Sequence, residues 1–96
     1  MSKHYTVAWT ENANDTYLDT LAFILKKWTT KEAKHFETLT KDLMEKLTHN
    51  LKLCPKVKGQ TFRKCVISSQ TSLVYRTRSK SVELIAFIDN RSNHGY

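Results

Sequence analysis

The sequence predicts an α+β domain: an N-terminal strand, an antiparallel α-helical hairpin, then a three-stranded antiparallel meander forming one sheet. Three observations predict it. Residues 5–10, YTVAWT, alternate with a period of two. Residues 13–47 carry two apolar stripes at three- and four-residue steps, interrupted at WTT. From residue 62 onward, three short β-prone runs are separated by the polar turns SSQTS and RSKS. With 96 residues, two Gly and one Pro, the chain reads as a single domain spanning 1–96 without a long low-complexity segment.

In the first strand Tyr5, Val7 and Trp9 share one side, and Thr6, Ala8 and Thr10 the other. Thr10 can cap the helix that follows, where Ala13, Tyr17, Leu21, Ile24, Leu25 and Trp28 form the apolar stripe. Asp15 and Asp19 lie early in that helix and Lys26 and Lys27 late, an order that suits the helix dipole. Thr29 and Glu32 have the spacing of a capping box, so the chain restarts as a second helix. Its stripe is Ala33, Phe36, Leu39, Leu43, Met44 and Leu47. Both stripes read as core-forming faces, and so short a link requires the helices to run antiparallel.

LKLCPKVKGQ, residues 51–60, holds the only Pro and one of the Gly residues and is the main loop. The meander strands are expected at 62–67, 73–78 and 82–88. In the second, Leu73, Tyr75 and Thr77 alternate against Val74, Arg76 and Arg78. The third is apolar almost throughout, as expected of a central strand covered on both faces, so the first strand adds at an edge.

The net charge of +7 is unevenly spread. Residues 1–50 contain seven basic and seven acidic side chains and are neutral. Between Lys52 and Lys80 lie eight basic residues and no Asp or Glu: Lys52, Lys56, Lys58, Arg63, Lys64, Arg76, Arg78 and Lys80. A one-sided positive field of this kind favours a polyanion or an acidic protein partner. No apolar run reaches the length of a membrane span. MSKHYTVAWTEN lacks the apolar core of a signal peptide, so a cytoplasmic protein is expected, with Cys54 and Cys65 as free thiols. Neither the two cysteines nor the scattered His4, His35 and His49 have metal-site spacing, and no metal or cofactor is expected.

The element order and several details resemble the RelE/ParE superfamily of bacterial type II toxins. The resemblance rests on YTVAWTENAND at the start and on the passage HNLKLCPKVKG after the hairpin. It rests also on FRKCVISSQTSLVYRTRSKSVELIAFIDNRSN, with LVYR at 73–76 and a last strand leading to Arg91. Such a resemblance implies a growth-arresting toxin held inactive by a cognate antitoxin in a hetero-oligomer. Its target is either DNA gyrase, for the ParE-like branch, or messenger RNA on the ribosome, for the RelE-like branch. The long, well-capped hairpin favours the ParE-like branch, with the basic surface and the hairpin face as contact regions. The RelE-like alternative is a nuclease, which needs a proton acceptor, cations for the phosphate and an acid for the leaving oxygen.

Carried over by position, the resemblance implies Arg63, Arg91, His94 and Tyr96 for that chemistry. Ser72 stands where many members have an Arg, and Cys65 where a basic residue is common, so a transition-state cation is missing. Lys56, Lys58, Arg63, Lys64, Arg76, Arg78 and Arg91 are the candidate nucleic-acid or partner contacts. The plainer readings are that Arg63 and Lys64 pair with the antitoxin, Arg91 with the C-terminal carboxylate or Asp89, and that His94 and Tyr96 are surface residues. A third possibility is a basic nucleic-acid-binding domain without toxicity, though the chain has no RNP-like aromatic motif and its helices are the neutral half.

Overall fold

The computed structural model describes residues 4–91. The elements run β1 (Thr6–Trp9), α1 (Glu11–Lys27), α2 (Thr30–His49), β2 (Arg63–Val66), β3 (Thr71–Thr77) and β4 (Ser81–Asp89). The strands form one sheet in the order β1-β4-β3-β2. β2, β3 and β4 make the antiparallel meander, and β1 joins at the edge parallel to β4, so the sheet is mixed.

Local chemistry sets both helix starts. The Thr10 hydroxyl accepts from the Ala13 N–H at 3.0 Å, and the Thr29 hydroxyl from the Glu32 N–H at 3.3 Å. α1 closes where the Trp28 N–H meets the Ile24 carbonyl at 2.7 Å, and α2 begins two residues later. The helices therefore fold back on each other on one face of the sheet.

The core lies in that layer. Leu73, Tyr75, Val82, Leu84 and Phe87 from the sheet meet Ala13, Phe36 and Leu47 from the helices. Phe87 sits at the centre of an aromatic group, with ring centroids 5.5 Å from Trp9, 5.2 Å from Tyr17 and 6.4 Å from Phe36. On the opposite sheet face Val74, Ala86 and Ile88 are buried beside Phe62 and Ile85. Both faces of β4 thus bury side chains, as its apolar sequence requires.

β4 outlasts β1, and its register with β3 shifts between Val74 and Tyr75. Backbone groups of β4 past the end of β1 need partners, and the start of α1 supplies them. The Thr10 hydroxyl donates to the Leu84 carbonyl at 2.7 Å, and the Asn12 amide to the Ile85 carbonyl at 3.0 Å. The Thr16 hydroxyl accepts from the Phe87 N–H at 2.9 Å. At the C-terminus of α2, the Tyr5 N–H donates to the Thr48 carbonyl at 2.8 Å, and the His4 and His49 rings meet at 4.7 Å.

β3 begins at Thr71, two residues before its alternating apolar pattern. Thr71 and Ser72 read as turn residues in the sequence, yet both are buried in the strand. The tight turn is only Ser68–Gln70, where the Ser68 hydroxyl accepts from the N–H groups of Gln70 at 3.2 Å and Thr71 at 3.1 Å.

Candidate functional site

The basic half is built on a loop held by three independent ties. Pro55 and Gly59, the latter at φ 75°, turn residues 51–62 back so that Lys56 bridges Arg63 and the Lys64 N–H reaches the Pro55 carbonyl at 3.1 Å. This return brings the Cys54 and Cys65 Cα atoms to 5.3 Å, and the two cysteines form a disulfide. The expectation of free thiols is thereby corrected. It rested on the presumed compartment, whereas the pairing comes from a loop doubling back on an edge strand, which no spacing rule shows.

The second tie is Tyr75. Its buried hydroxyl donates to the Leu51 carbonyl at 2.9 Å and accepts from the Cys54 N–H at 3.2 Å. Burial raises the phenol above its usual pKa, opposed by the Cys54 hydrogen bond and the positive charge of Arg63. The third is Arg63 itself, whose Nη1 donates to the Cys54 carbonyl at 2.7 Å. Arg63 and Tyr75 are cross-strand partners, so β2 and β3 grip the same short stretch of loop. Lys52, Lys56 and Lys58 project from this fixed loop and are exposed.

Lys64 pairs across with Val74 and lies on the sheet face away from the helices, as does Arg76. Arg76 and Arg78 both hold Glu83, Arg76 through Nε and Arg78 through Nη2 at 3.4 Å. The Arg76 hydrogen bond is the main reason why the Glu83 carboxyl sits below its ordinary pKa. Lys80 is exposed in the turn between β3 and β4.

At the far end of the sheet a second network forms around Asn90. Ser72 Oγ donates to Asn90 Oδ1 at 2.5 Å, and the Asn90 amide donates to the Ser68 and Ser69 carbonyls at 3.1 and 3.3 Å. A buried hydroxyl thus stands where the resemblance places an Arg, and it fixes the strand end. Arg91 is held by Asp89, with Nε–Oδ1 at 3.1 Å and Nη2–Oδ2 at 3.0 Å, which raises the Arg91 pKa. Arg91 borders a groove walled by Thr20 and Phe23 of α1 and by Phe87 of β4.

The sequence-derived set is therefore spread out. Arg63 lies in the row of Tyr75, while Asp89 lies in the row of Thr71, about 13 Å along the strands, with Arg91 farther on. His94 and Tyr96 lie outside the described residues. His4 and His49 do come together, but among the described residues no group of three or more His, Cys, Asp or Glu could hold a metal ion. No helix of the described residues is long and apolar enough to cross a membrane.

Sequence reasoning also overfilled the core. Leu25 and Trp28 belong to the α1 stripe but remain exposed, with Leu18 and Phe23. The sheet and α2 cover only the side of α1 bearing Ala13, Tyr17, Leu21 and Ile24.

Solved structures place this architecture. A chain of the chromosomal ParDE TA system from P. aeruginosa superposes with a TM-score of 0.75 at 11% identity, covering 90% of this chain and 96% of that one. The fold is that of the RelE/ParE toxins. A YoeB/ParE toxin from Agrobacterium tumefaciens gives a TM-score of 0.60 at 16% identity, over 88% of this chain and 98% of the other. A copper-bound mutant toxin from Helicobacter pylori gives 0.62 at 15% identity, over 90% and 94%. No protein-family model and no curated protein sequence matches the chain.

Proposed function

We propose that this chain is the toxin of a type II toxin–antitoxin module and belongs to the ParE-like branch, which arrests growth by acting on DNA gyrase. The toxin reading is supported by a RelE/ParE fold that runs through 90% of the chain. The basic half supports an antitoxin partner, whose acidic segment would be drawn to Lys52, Lys56, Lys58 and Lys64. Plasmid stabilisation and a cytoplasmic place of action follow from the same reading. The observation that carries the branch is the separation of Arg63 from Arg91. RNA cleavage needs its cations and proton carriers around one phosphate. Here Arg63 is engaged with the Cys54 carbonyl, and Arg91 with Asp89 at the other end of the sheet.

The test is induction of the gene in a bacterial host, followed by two assays on purified protein: gyrase supercoiling with capture of cleaved DNA, and mapping of messenger 5′ ends in reconstituted translation. The expected result is growth arrest, trapped gyrase–DNA cleavage and intact messenger. Cuts that appear only with ribosomes overturn the gyrase reading in favour of the nuclease, with Arg63, Arg91, His94 and Tyr96 as its candidate residues. Absence of growth arrest, together with steeply salt-dependent binding to nucleic acid, overturns the toxin reading in favour of a basic binding domain.

A further inference from the structure

Helix α1 is apolar over more of its circumference than the domain covers. Leu18 and Leu25 retain 61% and 52% exposure, and Trp28 at the helix end retains 53%. Leu18, Ala22 and Leu25 follow one another at four- and three-residue steps, so they form one continuous strip on the outer side of the helix. Along one flank of that strip stand Asp15, Asp19 and Lys26, all exposed and without an ion pair among the described residues.

We propose that this strip is the interface between two copies of this chain, docked α1 against α1, antiparallel, about a two-fold axis at Ala22. A two-fold contact must be self-complementary, and this order of residues is. With a rise of about 1.5 Å per residue, Leu18 lies about 6 Å to one side of Ala22 and Leu25 about 4.5 Å to the other. The axis therefore stacks the Leu18 of each copy on the Leu25 of the other. It brings Lys26 of one copy, about 6 Å out, between the levels of Asp15 and Asp19 of the other, about 10.5 and 4.5 Å out. Ala22 at the crossing point lets the helices approach closely. The contact lies in the half of the chain with seven acids and seven bases, so the net charge of +7, carried by the other half, does not oppose it. An acidic partner is drawn to that basic half instead. The proposal does not depend on the toxin reading.

Sedimentation equilibrium across about 1 to 300 µM, a range in which modest interfaces associate, tests it. The mass is expected to rise from 11.2 kDa toward twice that value with concentration. Leu18→Glu is expected to abolish the rise, and Lys26→Asp to weaken association by about tenfold. Adding Asp15→Lys and Asp19→Lys to Lys26→Asp is expected to restore it. All four positions are exposed, and circular dichroism checks that each variant keeps its helices. A constant 11.2 kDa at every concentration overturns the proposal and leaves the strip to another occupant, such as an antitoxin helix. A dimer indifferent to both Leu18→Glu and Lys26→Asp overturns it as well.

Discussion

The helical hairpin, α1 and α2, and the meander, β2 to β4, distribute their side chains in opposite ways. In the hairpin half the charges cancel, and apolar residues such as Leu18, Leu25 and Trp28 remain on the surface. In the meander, residues 71–75 are buried without interruption, while the cations around them have few acids to answer them. The hairpin is held by burial along one side and by the hydrogen bonds of Thr10, Asn12 and Thr16 to β4. The meander and its loop are held by specific ties: a disulfide, a buried phenol and a guanidinium on the same few loop residues. The difference teaches that the two surfaces suit different partners, an apolar self-complementary one and a polar cationic one. It also means that they should fail in different ways.

The sharpest way to break the comparison is at the point where the halves meet. Phe87→Ala removes the ring shared by Trp9, Tyr17 and Phe36, and is expected to cost about 3–5 kcal/mol in urea unfolding. A loss below 1 kcal/mol would mean that the hairpin is docked mainly by Thr10, Asn12 and Thr16.

Reduction of Cys54–Cys65 acts on the meander half alone. Closing an 11-residue separation stabilises by about 3 kcal/mol in the chain-entropy account, so the urea midpoint should fall in reductant. An unchanged midpoint would show that Tyr75 and Arg63 hold the loop unaided. Tyr75→Phe sharpens this point. It strips the Leu51 carbonyl and Cys54 N–H of their partner and is expected to cost about 1–3 kcal/mol, with faster amide exchange at Cys54 as the local sign.

The smallest effect is expected at Glu83. Its folded pKa is lowered, chiefly by the Arg76 hydrogen bond, so its contribution is present above the ordinary carboxylate range. It is lost as the pH falls through the lowered folded value. Glu83→Gln should therefore flatten the acid limb of the stability profile slightly and leave alkaline stability untouched. A Glu83→Gln profile parallel to that of the parent chain would rule out this assignment.

Much of the fold was legible in the sequence because it is specified locally. Period-two alternation at YTVAWT, the caps at Thr10 and Thr29, and the apolar run of β4 each state their element within a few residues, and the structure carries all of them. Their order along the chain then predicted a meander with the first strand at its edge, and the sheet has that arrangement. Less of the candidate site was legible. Composition revealed the basic half, but Arg63 and Arg91 are both basic residues beside strands, and nothing local says that register sets them at opposite ends of the sheet. Ser72 read as part of a turn and is a buried strand residue holding Asn90, 18 positions away.

The sequence by itself determined where the chain is helical, where it is extended, and where its charge accumulates. These depend on near-neighbour sterics, periodicity and composition. Only the tertiary structure decided the parallel pairing of β1 with β4, the disulfide, the side of α1 left uncovered, and the engagement of each arginine. Each of these depends on groups far apart in the chain arriving at one place, and that arrival is set by strand register and packing rather than by any property of the residues alone.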